Sequence, residues 1–193
     1  IMQYNQYIPL LTMNNSKLKK DNIHTFSLPP IKTCPYAKDC KKYCFGLRGN
    51  FCYPCVKQKR KTNLEATKDK TFINRISHEI QSKNIKKIRI HDTGDFYNKR
   101  YLSKWLSIIK RNPNTMFYCY TKSIPFFKGK QLPNNFVVIF SYGGIYDNLI
   151  TKHDRQAKIF SNEIDINNNG FINASESDLF ALTNNKLVGL IRK

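Results

Sequence analysis

The sequence lacks a long apolar run. No window approaches the roughly 18 consecutive apolar residues that a membrane-spanning helix requires, so we expect no membrane association. The N-terminal segment has no basic leader followed by an apolar stretch, which argues against a signal peptide. Internal repeats and low-complexity linkers are also missing. These absences favour a single globular domain, residues 1–193, in a reducing, cytoplasmic setting.

Acidic residues are scarce, with 13 Asp and Glu against 33 Lys and Arg and a formal net charge of +20. The excess is uneven, because residues 1–70 carry 14 basic against 4 acidic residues, residues 71–122 carry 11 against 3, and residues 123–193 carry 8 against 6. This asymmetry is typical of proteins that bind a polyanion, so a nucleic acid or a phosphate-bearing ligand is the expected partner. An AT-rich genome, which favours Lys and Asn codons, is the alternative source of part of the excess.

Cysteine is rare outside one segment. Five of the six cysteines lie in "TCPYAKDCKKYCFGLRGNFCYPC", between positions 34 and 55, and only Cys119 lies elsewhere. Cys119 falls within an apolar segment and is predicted to be a small core residue. In a reducing compartment, clustered cysteines bind metal more often than they pair with one another. The segment therefore predicts a metal or cluster site.

The cysteine spacing leaves three chemistries open. Five residues separate Cys34 from Cys40, three separate Cys40 from Cys44, and two separate Cys52 from Cys55. Zinc favours two short-spaced pairs set a dozen or more residues apart, whereas iron–sulfur clusters accept irregular spacing on one loop. Free or redox-paired thiols are the third alternative. The many basic residues of the loop would stabilise thiolates in each case.

Apolar patterning predicts strands that alternate with helices, which indicates an α/β protein with a parallel sheet, either a partial (β/α) barrel or a curved sheet. A polar leader at 1–22 precedes a β/α core at 23–150, and an α/β extension follows at 151–193. The segment 135–144 is continuously apolar, so we expect it to be buried on both faces. Strands are predicted at 23–30, 85–92, 115–122, 135–144 and 186–191, and helices at 56–69, 71–83 and 99–113.

Polar residues follow the predicted strands. The carboxyl ends of parallel strands meet at one edge of a sheet, where ligands usually bind. Turn formation is the alternative for residues 91–95, with Asp95 capping the segment that follows. Tyr142 is a candidate for phosphate or ribose contact. The candidates for binding a metal or a substrate amine are His91, Asp92 and Asp95. Lys122 shares with Tyr142 the expected contact with phosphate or ribose, and the candidates for catalysis are His91, Asp92, Asp95 and Lys122.

Residues 165–176, "DINNNGFINASE", match the spacing of a calcium-binding loop. Only Asp165 and Glu176 bring charge to this match. We therefore interpret the segment as the approach to a capping box, in which Ser175 and Asp178 begin a helix.

Four segments resemble a phage and large-virus gene-product family: "FSLPPIKTCPYAKDCKKYC", "RIHDTGDFYNKRYLSKW", "FYCYTKS" and "LPNNFVVIFSYGG". The resemblance covers about residues 25–150. It implies a viral protein that acts in the host-cell cytosol or in association with the virus. The cysteines of the family pattern match Cys34, Cys40 and Cys44, while Cys52 and Cys55 are additional in this chain.

More distantly, the layout is similar to radical-SAM enzymes, which carry three cysteines in the loop after the first strand of a partial barrel. The similarity implies that Cys34, Cys40 and Cys44 hold a [4Fe-4S] cluster and that S-adenosylmethionine binds the open iron. An aromatic residue precedes the last of the three cysteines in those enzymes, as Tyr43 does here. The residues implied to line the cofactor pocket are Thr93, Gly94, Asp95, Ser141 and Gly143.

The cysteine spacing departs from that family, in which three and two residues separate the ligands. Cys52 or Cys55 could close the fourth iron site, which would make the cluster structural or electron-carrying. The expected function is an iron–sulfur protein with a radical-SAM-like partial barrel that acts on or binds nucleic acid or nucleotides. The alternative is a non-enzymatic nucleic-acid-binding protein that zinc or a cluster stabilises.

Overall fold

The computed structural model describes residues 8–13 and 15–192 of the chain. Strands alternate with helices through much of this region, which confirms the expected α/β class. The strands are β1 (His24–Phe26), β2 (Lys87–Ile90), β3 (Met116–Thr121), β4 (Phe136–Ser141), β5 (Gln156–Phe160), β6 (Ile172–Asn173) and β7 (Leu187–Ile191). The helices are α1 (Ser16–Lys20), α2 (Pro54–Lys68), α3 (Phe72–Ser82), α4 (Lys99–Arg111) and α5 (Glu163–Asn168).

The described strands form one curved sheet in the order β1-β2-β3-β4-β5-β7-β6, and every neighbouring pair is parallel. The sheet does not close, because β1 and β6 lie at its two edges. This confirms the expected curved parallel sheet. The last three strands, β5 to β7, come from the segment 151–193, so the C-terminal extension continues the sheet of the core.

Helices α3 and α4 cover one face of the sheet. The apolar spacing of α3 buries Phe72 and Ile76, and Trp105 of α4 packs edge-on against Phe72 with ring centroids 5.8 Å apart. Cys119 is buried on this side, as expected of a core residue. Asn98 begins α4, since its Oδ1 accepts a hydrogen bond from the Tyr101 N–H at 2.8 Å. None of the helices in the described part of the chain combines the length and apolar character that crossing a bilayer demands.

The opposite face, which we call the inner face, has its own apolar cluster. Successive residues of a strand point to opposite faces of the sheet, so every second residue lies on the inner face. Arg89, Tyr118 and Val137 are paired across neighbouring strands and therefore share this face. Leu18 of α1 and Ala181 near the C-terminus cover the cluster. Its strand members are Tyr118, Ile139, Ala157 and Val188.

A buried ion cluster joins the C-terminal segment to the inner face. The Asp178 carboxylate accepts hydrogen bonds from Arg89 Nη1 and from the Tyr118 hydroxyl, both at 2.8 Å. Lys17 Nζ of α1 lies 2.5 Å from the other carboxylate oxygen. One carboxylate therefore fixes α1, β2 and β3 to the segment that follows β6.

Strand β4 differs from its prediction, because Val137 and Val138 are only half-buried. The helices do not fully cover Val138, and the inner-face cluster leaves Val137 partly open. Strands β5 and β6 were not predicted. Their polar composition hides them, and pairing with β7 creates them.

Residues 165–176 do not form an open calcium-binding loop. Asp165 lies inside α5, and Asn162 caps that helix by accepting from the Asp165 N–H at 2.9 Å. The predicted cap at Ser175 is wrong, because Ser177 caps the short 3₁₀ helix that follows, accepting from the Leu179 N–H at 3.2 Å. Ser175 instead accepts from the Ile191 N–H at 2.8 Å and secures the end of β7.

Candidate functional site

The loops that follow β1, β2 and β3 are joined by hydrogen bonds at the carboxyl edge of the sheet. The Asp95 N–H donates to the Thr33 carbonyl at 3.1 Å, which links the loop after β2 to the start of the cysteine loop. The Lys122 N–H donates to Asp95 Oδ2 at 2.8 Å, which adds the end of β3. The sequence correctly predicted that these polar segments meet.

The cysteine loop crosses this edge from β1 to β4. The Gly143 carbonyl accepts from the N–H groups of Lys38 and Cys40, at 3.0 and 3.3 Å. The Tyr36 carbonyl accepts from the Ile145 N–H at 2.8 Å, next to a β-bridge between Ala37 and Gly144. The first part of the loop, residues 33–40, is therefore tied to the loop after β2 and to the turn after β4, and it spans the edge between them.

Gly143 is required where the loop docks. Its φ of +98° lies in the left-handed region that favours glycine, and an added Cβ would lie 3.3 Å from Cys40 Cβ and 3.2 Å from the Tyr43 hydroxyl. The Gly143 N–H donates to Asp147 Oδ2 at 2.8 Å, which fixes the turn. The β4 end thus supplies a backbone surface that the second cysteine contacts directly.

Cys34, Cys40 and Cys44 are free, half-buried thiols whose charges would interact with one another. Burial, together with the Asp95 carboxylate, raises the pKa of Cys34 to about 12. Burial also raises the pKa of Cys40, although the Lys122 ammonium acts in the opposite direction. These two thiols are protonated at neutral pH, so binding a metal group must release their protons.

The other two loop cysteines lie differently. Cys52 is half-buried at the end of a 3₁₀ helix, Gly49–Cys52, while Cys55 is exposed in the first turn of α2. Among residues 8–13 and 15–192, no three His, Cys, Asp or Glu side chains form a group that could hold a metal ion.

Gly94 brings the loop after β2 against the cysteine loop. Its φ is +86°, and an added Cβ would lie 2.6 Å from both Leu28 Cβ and Thr33 Oγ1. The Thr93 hydroxyl donates to the Leu28 carbonyl at 2.9 Å. Thr93 and Gly94, predicted to line a cofactor pocket, therefore fix the entry to the cysteine loop through their own contacts.

Asp95 is buried and fully engaged. Its Oδ1 accepts from the Thr121 hydroxyl at 2.6 Å and from the Phe96 N–H at 2.7 Å, and its Oδ2 accepts from the Lys122 N–H. Burial raises the pKa of Asp95, while these hydrogen bonds act against the rise. The carboxylate is thus the structural centre of the edge, and it faces the thiols of Cys34 and Cys40 electrostatically.

Lys122 and Ser141 form a polar pair beside the cysteine loop. Lys122 Nζ donates to Ser141 Oγ at 2.8 Å, and its charge acts on Cys40. The Tyr142 hydroxyl is directed away, to Gln156 Oε1 at 3.1 Å. Asp92 accepts a short hydrogen bond from the Ser27 hydroxyl on the β1 side.

His91 does not join this group, which corrects its place among the catalytic candidates. Its backbone adopts a φ of +68°, and the imidazole turns into the helix-covered core, where Nε2 lies 2.8 Å from the Tyr101 hydroxyl. The ring packs against Phe96 with centroids 4.7 Å apart. Burial, aided by the Arg89 charge, lowers the pKa of His91 to about 3, so the ring is neutral at physiological pH.

Sequence reasoning missed Arg60. This arginine lies on α2, is 3% exposed and donates a hydrogen bond to the Gly46 carbonyl of the cysteine loop. Its charge interacts with Asp92, Cys44 and Cys52. A signal was available, since the buried face of α2 carries Arg60, Asn63, Leu64 and Thr67 at helical spacing, a mostly polar stripe that must meet polar partners.

Comparison with known proteins adds one finding. Curated proteins give no match, and solved structures give none. The family model described as Gene product 88 matches residues 9–193. That match extends to both sides of the segment that the motifs covered, and it includes every residue of the site described above. The chain therefore belongs to the Gene product 88 family.

Proposed function

We propose that Cys34, Cys40 and Cys44 bind an iron–sulfur cluster at the carboxyl edge of a radical-SAM-like sheet. One observation carries the proposal: three mutually interacting thiols lie in the loop after the first strand of a parallel, unclosed sheet. Hydrogen bonds tie that loop to two other strand ends. Ligand sites of parallel α/β sheets collect at this edge.

The donor set fits a four-iron cluster. Each thiolate holds a different iron of such a cluster, so the three sulfurs need not converge on a single metal atom. A zinc ion, in contrast, draws its ligands around one centre, and the described residues form no such group. The buried, positively charged guanidinium of Arg60 near Cys44, one of the three thiols, also supports the cluster.

A cluster with three protein ligands leaves one iron open. S-adenosylmethionine bound there would supply hydrogen-atom abstraction after one-electron reduction. Asp95 is engaged by three hydrogen bonds, so it would hold the edge in place rather than change protons. Lys122 and Ser141, which are hydrogen-bonded to each other beside Cys40, would contact a ligand bound there.

Charge around the loop supports a nucleic acid or nucleotide as substrate or partner. Residues 31–61 contain nine Lys and Arg and one Asp. Phosphate backbones bind such surfaces by releasing their condensed counterions. A polyanion lying across the loop would bring a nucleotide next to the cluster site. The exposed basic residues are Lys32, Lys38, Lys41, Lys42, Arg48, Lys57 and Lys61.

The test is metal identity with ligand assignment. Protein purified without oxygen should be brown and contain iron and sulfide, with the broad visible absorption of thiolate-bound clusters. Cys34→Ser, Cys40→Ser and Cys44→Ser should each lose the colour. Cys119→Ala, which changes a thiol in the core, should keep it. A colourless protein that carries one zinc per chain would overturn the proposal.

The basic loop also favours a second candidate, a non-enzymatic nucleic-acid-binding protein in which zinc or a cluster only fixes the loop. This candidate predicts DNA or RNA binding whose affinity falls steeply with salt, and no cleavage of S-adenosylmethionine under reducing conditions. Reductive cleavage to 5′-deoxyadenosine would exclude it.

A further inference from the structure

Arg60 is a buried cation whose compensation is incomplete. The guanidinium is charged at any physiological pH, and burying a charge is costly unless it is paired and hydrogen-bonded. Burial lowers the pKa of Arg60, and the charges of Asp92, Cys44 and Cys52 act in the opposite direction. Nearby acidic groups, such as the Asp92 carboxylate, therefore offset part of the cost of burying the charge.

Only part of the guanidinium is hydrogen-bonded. Nη1 donates to the carbonyls of Gly46 and Phe51, at 3.1 and 3.2 Å, and the guanidinium carbon lies 5.1 Å from the centre of the Phe51 ring. Nε and Nη2 are buried and find no acceptor in the described part of the chain. Buried donors are rarely left without an acceptor, so two on one side chain indicate a missing partner.

The neighbouring acidic groups do not supply that partner. No hydrogen bond joins Asp92 to Arg60 within residues 8–13 and 15–192, and Asp92 Oδ1 already accepts from the Ser27 hydroxyl. Cys44 and Cys52 are free thiols that make no hydrogen bond with the guanidinium. A negatively charged group next to Cys44 would balance the charge of Arg60 and would accept hydrogen bonds from its Nε and Nη2 groups.

We infer that Arg60 is the buried counter-cation of the cysteine-held cluster and donates its unpartnered N–H groups to sulfur on the Cys44 side. This inference rests on the proposed function. Three thiolates and a four-iron core carry net negative charge, and a guanidinium is a stronger and more directional donor than a backbone amide. Hydrogen bonds and positive charge at the sulfurs stabilise the more negative, reduced cluster.

The other basic side chains of the loop do not share this position. Lys32, Lys38 and Arg48 are exposed, and water screens their charges. Lys122 is directed to Ser141. Arg60 is therefore the residue whose removal should change the cluster most.

The experiment compares Arg60→Met and Arg60→Lys with a matched control, Arg48→Met, which removes an exposed arginine of the same loop. Circular dichroism and urea unfolding of the iron-free proteins establish folding. Iron content and the midpoint potential, followed by visible absorption, are then measured on the reconstituted proteins. No enzymatic turnover is needed.

We expect Arg60→Met to bind iron less tightly and to make reduction at least tenfold less favourable, which is about 59 mV for one electron. Arg60→Lys should fall between this variant and the wild type, because it keeps the charge and loses the forked donors. Arg48→Met should match the wild type.

Full iron content with an unchanged potential in Arg60→Met would overturn the inference. If Arg60→Met does not fold, Arg60→Lys decides, since an unchanged potential there also overturns it. A wild-type protein that binds no iron refutes the proposed function itself, and the two failures are thereby distinguished.

Discussion

The Lys122 N–H donates to Asp95 Oδ2 at 2.8 Å, and this bond joins the end of β3 to the loop after β2. The same carboxylate accepts from the Thr121 hydroxyl and the Phe96 N–H. A single buried anion thus sets the spacing of two neighbouring strand ends beneath the cysteine loop. Its role is to organise the edge on which the loop rests.

Replacing Asp95 by Asn should destabilise the protein by about 3 kcal/mol, because an amide can accept at only one oxygen and turns its NH₂ toward a donor. Urea unfolding monitored by circular dichroism measures the loss. Asp39→Asn is the control, since Asp39 is exposed and pairs with Lys42 at the surface, and it should change the stability little. Equal stability of the two variants would contradict the role given to Asp95.

Gly94→Ala should destabilise the fold by about 3 kcal/mol or more, through both its positive φ and a collision with Leu28 and Thr33. Gly129→Ala separates the two causes. Gly129 has a similar φ of +73°, but an added Cβ there meets nothing within 4 Å. That control should lose only about 1 kcal/mol. Matching losses in the two thermal or urea unfolding series would rule out the collision.

His91 should make the protein acid-sensitive. The unfolded chain takes up a proton near the ordinary pKa of 6.5, whereas the folded protein resists protonation down to about 3. Below pH 6.5 the unfolded state therefore binds more protons. As the pH is lowered through this range, His91 alone should reduce the free energy of unfolding by about 1.4 kcal/mol for each pH unit.

The matched variant is His91→Asn, because asparagine tolerates the positive φ and does not titrate. At pH 7 this variant should be less stable than the wild type, because the substitution removes the hydrogen bond between His91 and Tyr101. Its stability should then decline less steeply between pH 6.5 and 4. Parallel stability curves for the two proteins across that window would disprove a neutral, buried imidazole.

Asp178→Asn should cost roughly 3–5 kcal/mol, because it leaves Arg89 buried without its counter-charge. Glu65→Gln is the comparison, since Glu65 pairs with Lys68 at the surface and should contribute less than about 1 kcal/mol. Both values come from chemical unfolding. A small loss at Asp178 would mean that Arg89 finds another partner.

The fourth position of the proposed cluster can be assigned with two variants. Cys52→Ser and Cys55→Ser should both keep the iron content and colour of the wild type if one iron is open to a ligand. Loss of the cluster in one of them alone would identify a fourth cysteine ligand and favour electron transfer over substrate chemistry. Iron analysis and visible absorption after anaerobic reconstitution give the answer.

Apolar patterning was sufficient for the central elements. The sequence predicts four elements, β2, β3, α3 and α4, because their buried side chains recur at the period of a strand or a helix. Strand β5, with the sequence QAKIF, carries no such signal. Its identity as a strand depends on backbone pairing with β4 and β7, which are distant in the chain.

In the candidate site, too, some features could be predicted from the sequence and others could not. That Asp95 and Lys122 meet follows from the strand-end rule, because both lie in loops that follow parallel strands. The direction of His91 could not be predicted, since a positive φ at a non-glycine residue reverses the expected alternation. Arg60 was hidden among the nine basic residues of its segment, because burial depends on what packs against a helix face and not on charge.

The hydrogen bonds from Lys38 and Cys40 to the Gly143 carbonyl also set a sequence of events during synthesis. The cysteine loop leaves the ribosome before β4, so the Gly143 carbonyl on which it docks is not in place until β4 has emerged and joined the sheet. Ribosomes add roughly 5–20 residues per second, so the hundred or so residues between these partners take several seconds to make. During that interval the loop lacks its contacts with the β4 end, and its docked position is completed only when β4 joins the sheet.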